Sequence, residues 1–447
     1  MGARLTNAGL PQGTRILSAS RHGSDRWART AKLVARLPDG AVRAFLLRVR
    51  RPRHTAIAAG RSGESPPTHA DREQGASGET GRQMMRGEFE SLGAIYSVVP
   101  GFCPKPVCWG AFRAAPGSFF SLSTCHERVA PPADPAAFCT RLARLHTKSL
   151  LSSATASGAA ALAATLVSTT ASSAATAVTA SATASAVTAA GSFGFPVRTF
   201  FGDVLTEKVA CATWEECFAA LLRHMLQLDE DVNGADDTLV QLREELLARV
   251  VPRLLRPLES GGRRLRPALC HGDLRAANAG SAECGTVMVF RPAALYAHSE
   301  FELGPWRAVR HGFDSRFLHA YLRLVPPSEP RADFDDRNAL YALRHLAACP
   351  IRYPGSAKYR HEIVAEMARL VDRFAPKPER AWYDADARFR DDLLADDDST
   401  EDPYGDGDGD GNGVAVPTAA GPGDTPRGVG GGASARGRPR RLVKSAR

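Results

Sequence analysis

The chain contains no run of eighteen or more continuous apolar residues, so a conventional membrane-crossing helix is not expected. It has no C-x-x-C and no Cys/His spacing suited to zinc. Its nine cysteines, an odd number, are scattered from Cys103 to Cys349. A disulfide framework and a structural zinc site are therefore both unexpected, and a reducing interior compartment fits. The start lacks the charged and apolar regions of a secretory leader. It does carry a loose myristoylation pattern at Met1-Gly2 and an Arg-rich opening with Asp25 as its one acid, and both read more simply as an ordinary cytosolic start. Cytoplasmic is the expected address, with nuclear and mitochondrial ones left open. Charge of one sign is in short supply too. The excess of 57 Lys+Arg over 48 Asp+Glu is +9 over 447 residues, too little by itself to indicate nucleic acid. With 44% hydrophobic and 23% charged residues, the chain is neither disordered, collagen-like nor coiled coil, and has room for one large domain or two ordinary ones.

Three segments read as inserted rather than folded. Residues 51–82 are polar and rich in Gly, Pro and Ser, without apolar periodicity, and are predicted to form a long disordered loop. Residues 149–192 are almost only Ala, Ser, Thr and Val and read as a low-complexity insertion. Residues 386–447 turn acidic, then Gly-rich, then basic, and are predicted to be a disordered tail.

Between these segments lie two folded stretches. In 12–125, strand-like runs at Thr30–Leu37 and Val42–Val49 flank Asp39-Gly40, a hairpin signal. Met85, Phe89, Leu92, Ile95 and Tyr96 then recur at helical spacing over 83–99, and a short strand follows near Phe119–Ser123. In 126–385 helices dominate. Thr213-Trp214-Glu215-Glu216 is a capping box ahead of Phe218, Leu221, Leu222 and Met225. Residues 240–258 predict a helix bent or broken at Pro252 and Pro257, and Ile363, Met367, Leu370, Val371 and Phe374 mark another. The apolar strand candidate among them is Thr286–Phe290. A small β-rich lobe followed by a larger helical lobe is a bilobal α+β layout, in which ligands commonly occupy the cleft.

Residues 269–293 hold the chemistry. In Leu269-Cys270-His271-Gly272-Asp273-Leu274-Arg275-Ala276-Ala277-Asn278, an Asp precedes an Asn by five residues in a loop leading to an apolar strand. Such a pair can accept a hydroxyl proton and hold Mg²⁺ on phosphates, with His271 and Gly272 shaping the loop. His-Gly-Asp is equally ordinary turn chemistry, and the segment alone leaves both readings open.

H-G-D-L-x-x-x-N resembles the catalytic loop of the aminoglycoside-phosphotransferase and protein-kinase-like superfamily, in particular of fructosamine/ribulosamine kinases. Other stretches are similar and in the same order: Gly87-Glu88 through Ile95, Pro104–Val107, Phe193-Gly194-Phe195, Tyr296–Leu303, and Asp335–Tyr341 followed by Arg352-Tyr353. The resemblance implies a bilobal protein-kinase-like fold with ATP and Mg²⁺ as cofactors. Its activity would be phosphorylation of ketosamines on glycated proteins, which promotes deglycation. It further implies Asp273 as catalytic base and Asn278 as metal ligand, with Glu88 paired to a nucleotide-gripping residue at position 48.

Two positions depart from the family pattern. Arg48 stands where the family has Lys, and Arg291, in Phe290-Arg291-Pro292-Ala293, stands where it has the metal-binding Asp. Arg275 also replaces a usual Trp. These leave a weakened kinase and a catalytically inactive pseudokinase as alternatives. A third alternative is DNA contact through the basic Arg436–Arg441 segment, which contains an R-G-R-P core. Asp406–Gly411 imitates the start of an EF-hand, but its twelfth position would be Pro417, so calcium binding is not expected. His298, Glu300 and Glu302 read as a structural network behind the site rather than a metal cluster. Oligomeric state, sugar preference and protein targets are not legible.

Overall fold

The computed structural model describes residues 9–23, 28–50, 69–112, 115–126, 128–132, 134–149, 191–282 and 285–374. The core of the 149–192 insertion, the residues beyond 374, the EF-hand imitation and the Arg436–Arg441 segment lie outside them. All described residues belong to one compact unit within Met1–Gly407.

Alternating apolar residues build the first lobe. Strands β1 (Arg15–Arg21), β2 (Arg29–Arg36), β3 (Val42–Arg50), β4 (Pro106–Ala111) and β5 (Phe119–Thr124) form an antiparallel sheet in the order β1-β2-β3-β5-β4. The predicted hairpin is β2–β3, closed at Arg36↔Val42. The turn is held by the Leu37 N–H donating to the Ala41 carbonyl (2.8 Å) and the Ala41 N–H donating to Asp39 Oδ1 (2.9 Å). Leu33, Ala35, Phe45, Leu47, Phe120 and Leu122 fill one face of the sheet. The edge strand β1 was not anticipated: its burial pattern shows almost no alternation, so the period-2 signal is absent.

Helix α1 (His69–Val98) covers the sheet and corrects one expected boundary. It begins fourteen residues before position 83, inside the stretch predicted as a loop. The Gly, Pro and Ser content and the lack of apolar periodicity suggested a loop there, yet each glycine costs a helix only about 1 kcal/mol, which tertiary packing outweighs. At Gly81 the helix runs against Arg50 and Phe119. Farther along, Leu92, Ile95 and Val99 join the core of the second lobe, so α1 belongs to both.

The second lobe is mainly helical, with a helix over 135–149 (α2) followed by α3 (Trp214–Asn233). Thr213 caps the helix as anticipated, with the Glu216 N–H on Thr213 Oγ1 at 3.3 Å. Helix α4 (Asp237–Glu245) runs through a π-helical turn (Leu246–Val250) into α5 (Val251–Leu255) and a 3₁₀ turn at Arg256–Glu259, so the chain is irregular around Pro252 and Pro257. Helices α6 (Ser315–Leu324), α7 (Phe334–Arg352) and α8 (Ala357–Phe374) complete it. Aromatic contacts among Trp214, Phe218, Phe301 and Tyr341 centre its core.

Short strands thread this helical mass. They are β6 (Arg128–Ala130), β7 (Phe193–Gly194), β8 (Phe200–Phe201), β9 (Val204–Leu205), β10 (Ala210–Cys211), β11 (Ala268–Cys270), β12 (Ala279–Ala282), β13 (Val287–Val289) and β14 (Leu295–Ala297). β11 pairs with β14 and β12 with β13, both antiparallel. Residues 271–278 connect β11 to β12, so the candidate loop is clamped between two ladders at the junction of the lobes. No helix among the described residues is long and apolar enough to cross a membrane.

Candidate active site

The loop leaves β11 through a bend that demands glycine. Gly272 has φ +83°, and a Cβ there would stand 2.0 Å from the Ala293 carbonyl oxygen. The neighbouring backbone supplies that closeness: the Ala293 N–H donates to the His271 carbonyl (2.9 Å) and the Phe290 N–H to the Asn278 carbonyl (2.8 Å). His271 is fully buried. Its Nε2 faces the Phe290 carbonyl (2.9 Å), while its Nδ1 accepts from the Asp273 N–H (3.3 Å). That pattern requires the neutral Nε2–H tautomer, in keeping with burial, which lowers the His271 pKa.

Asp273 is 3% exposed at the floor of a cleft. Its Oδ2 accepts from Asn278 Nδ2 (2.9 Å), which also bonds the Asp273 carbonyl (2.8 Å), and its Oδ1 pairs with Arg275 Nε (3.3 Å). The amide orientation leaves Asn278 Oδ1 as a buried acceptor without a hydrogen bond. Across the cleft, Arg48 on β3 forms a short, nearly buried ion pair with Glu88 on α1. The cleft is lined by Arg48, Glu88, Asp273, Arg275, Asn278 and Arg291, together with Met84, Phe200, Gly202 and Pro292. The structure thus brings together the six sequence-identified side chains that were assigned to chemistry or to departures from it.

Arg291 lies at the exposed rim, and its Nη2 approaches the Ala277 carbonyl at 3.4 Å. Its φ is 55°, and among the described residues no other non-glycine residue has a positive φ. Asp and Asn tolerate this left-handed region better than Arg does.

The residues here do not fit a divalent cation. Both Asp273 oxygens are engaged, the acceptors left over are Asn278 Oδ1 and, on the carboxylate paired with Arg48, Glu88 Oε2, and the guanidiniums of Arg48, Arg275 and Arg291 line the same space. A unit charge about 4 Å from a divalent ion of the same sign is opposed by about 8 kcal/mol at an effective dielectric of about 20.

Behind the loop the polar groups are densely paired. Glu302 accepts the backbone N–H groups of His271, in a short contact, and of Gly272 at 3.0 Å. Glu300 holds Arg337 through two bonds (2.9 and 3.1 Å) and accepts the Ser328 N–H (2.7 Å). His298 sits between the Tyr341 hydroxyl and Ser328 Oγ, each at 2.9 Å, and burial pushes its pKa down to about 4. The three residues read as a structural network hold the loop and its surroundings.

Sequence reasoning missed Arg344. Its Nη1 reaches the Gly272 carbonyl (3.3 Å), its guanidinium stacks over Phe301, and burial lowers its pKa to about 10. The available signal was the spacing of Arg337, Tyr341 and Arg344, one buried polar stripe along α7. Ser91 was missed too: its hydroxyl accepts the Ala294 N–H at 3.1 Å, tying α1 to the chain after Arg291. A larger cavity of about 480 Å³ opens between the 3₁₀ segment Ser299–Arg307, α7 and α8, but it holds none of Asp273, Asn278, Arg48 or Glu88.

Residues 161–372 match the family model for fructosamine kinase. Over that span, just under half of the chain, the sequence is similar to the fructosamine kinase family. It is 33% identical over 156 residues to ketosamine-3-kinase of Mus musculus, an alignment covering 34% of this chain and 46% of the mouse protein. The chain therefore spans about half the length of that curated relative. The crystal structure of a fructosamine-3-kinase candidate from Thermobifida fusca YX-ER1 superposes with a TM-score of 0.52 at 17% identity, covering 83% of this chain and 98% of that one. One from Haemophilus somnus 129PT gives 0.50 at 13% identity, covering 80% and 92%. Both show the protein-kinase-like fold, which is the bilobal α+β architecture expected for the family.

Proposed function

We propose that the protein is an ATP-dependent ketosamine kinase, phosphorylating the sugar 3-hydroxyl of the Amadori adducts that ribose or glucose leaves on protein lysines and so promoting deglycation. The observation that carries this reading is Asp273 with Asn278 at one wall of a cleft whose opposite wall is the Arg48–Glu88 pair. In this reading Arg48, held by Glu88, grips the nucleotide phosphates. The sugar hydroxyl oxygen forms a bond to the γ-phosphorus as the bond from that phosphorus to ADP breaks, and Asp273 takes the hydroxyl proton. Catalysis is then positioning and charge stabilisation, with His271, Gly272, Glu302 and Arg344 fixing the loop. The cleft encloses about 40 Å³, so nucleotide entry requires its side chains to move aside.

The reading is tested by mass spectrometry of a ribosylated or fructosylated lysine peptide incubated with ATP and the full chain. A mass gain of one phosphoryl group on the sugar supports it. A second reading, a family member that binds nucleotide without transferring phosphate, is favoured by the Arg275–Asp273 pair and by Arg291. ATP binding with no phosphorylated ketosamine, with and without added Mg²⁺, would select that reading instead.

A further inference from the structure

Positive charge is in excess in the cleft. Three guanidiniums, from Arg48, Arg275 and Arg291, line it against the two carboxylates of Glu88 and Asp273. Arg48 and Arg275 each face one of those carboxylates. Arg291, whose Nη2 also approaches the Ala277 carbonyl at 3.4 Å, adds a third guanidinium at the rim, in a left-handed backbone conformation that costs arginine more than it would cost Gly, Asn or Asp. That conformation is set by backbone bonds on both sides, from Phe290 to Asn278 and from Ala293 to His271, so the turn aims whatever residue stands at 291 toward the cleft mouth. A strained non-glycine residue at a cleft is a reason to look for a function.

Guanidinium forks bind phosphate oxygens through paired, charge-assisted hydrogen bonds and need no metal bridge. A cation entering the same space meets the like charge of three guanidiniums, against two acceptors without a hydrogen bond, Asn278 Oδ1 and Glu88 Oε2, the latter on the carboxylate already paired with Arg48. We infer that this cleft binds the polyphosphate of a nucleoside triphosphate without a divalent cation, the Arg291 guanidinium supplying positive charge that such an ion would otherwise bring. The inference takes its ligand from the kinase reading above, but concerns binding alone.

The test is isothermal titration of the full chain with ATP, once in EDTA and once in Mg²⁺. Wild type is expected to bind ATP in EDTA at least as tightly as in Mg²⁺. Arg291→Asp should weaken metal-free binding by about tenfold or more and make binding recover on adding Mg²⁺. Arg291→Gln should weaken metal-free binding with no recovery, and thermal melting of both variants establishes that they are folded. Wild-type binding that requires Mg²⁺, no binding in either buffer, or metal-free binding unchanged in both variants would overturn the inference. Transfer to a ketosamine peptide is scored separately. Its absence beside metal-free binding contradicts the kinase reading alone, and Mg²⁺-dependent binding with transfer contradicts this inference alone.

Discussion

The two sides of the loop 271–278 are built to different standards. Behind it, Glu302, Glu300, Arg337 and His298 are buried and joined by well-formed bonds, Tyr341 accepts from Trp214 while facing His298, and Arg344 reaches the Gly272 carbonyl although its Nε has no hydrogen bond. In front, Asn278 Oδ1 lacks a partner, Arg275 is drawn onto Asp273, and Arg291 occupies a strained backbone position at the rim. The contrast shows that the support of a site and its chemistry are encoded separately. Support requires a fixed set of donors and acceptors around a backbone, while the residues facing the cleft can change charge without disturbing it.

The comparison is broken most severely by removing the support. Glu302→Ala leaves two buried backbone N–H groups without acceptors and is expected to cost about 3–5 kcal/mol, read by denaturant unfolding. A loss below about 1 kcal/mol would mean that Glu302 does not hold the loop.

Acid should weaken the same side. Burial lowers the pKa from 6.5 to about 4 for His298 and also for His311, a buried histidine whose Nδ1 meets the Pro305 carbonyl at the end of the Ser299–Arg307 segment (2.6 Å). Below pH 6.5 the unfolded chain takes up protons that the folded one refuses, so stability falls as pH drops from 6.5 toward 4. Each histidine contributes up to about 1.4 kcal/mol per pH unit. Thermal melting across that range should show the decline, and His298→Gln should make it shallower. A flat profile would place both histidines in contact with water.

The front is sharpened by a smaller change. Arg291→Gly removes the left-handed strain and is expected to stabilise the fold by about 1 kcal/mol, seen as a higher denaturation midpoint at unchanged slope. An unchanged or lower midpoint would mean that the turn is unstrained with arginine.

Much of this was legible in the sequence because it is local. The β2–β3 hairpin follows from Asp39-Gly40 and flanking alternation, the α3 start from Thr213 and Glu216, and the loop from the His271–Asn278 spacing. What was illegible depends on contacts distant in sequence. The early start of α1 rests on packing against Arg50 and Phe119, and the role of Arg344 on a carbonyl seventy-two residues away. The left-handed φ at Arg291 could not be read either, since it is imposed by bonds from the flanking residues to the loop rather than by the arginine.

The central claim is that Asp273 carries phosphoryl transfer to a ketosamine. The most direct measurement compares wild type and Asp273→Asn on one ribosylated peptide with ATP, following phosphate on the sugar by mass spectrometry and stability by melting. Wild type should phosphorylate the sugar, and Asp273→Asn should be slower by about 100-fold or more at nearly unchanged stability. Equal rates from the two proteins, or phosphate transfer from neither, would contradict it.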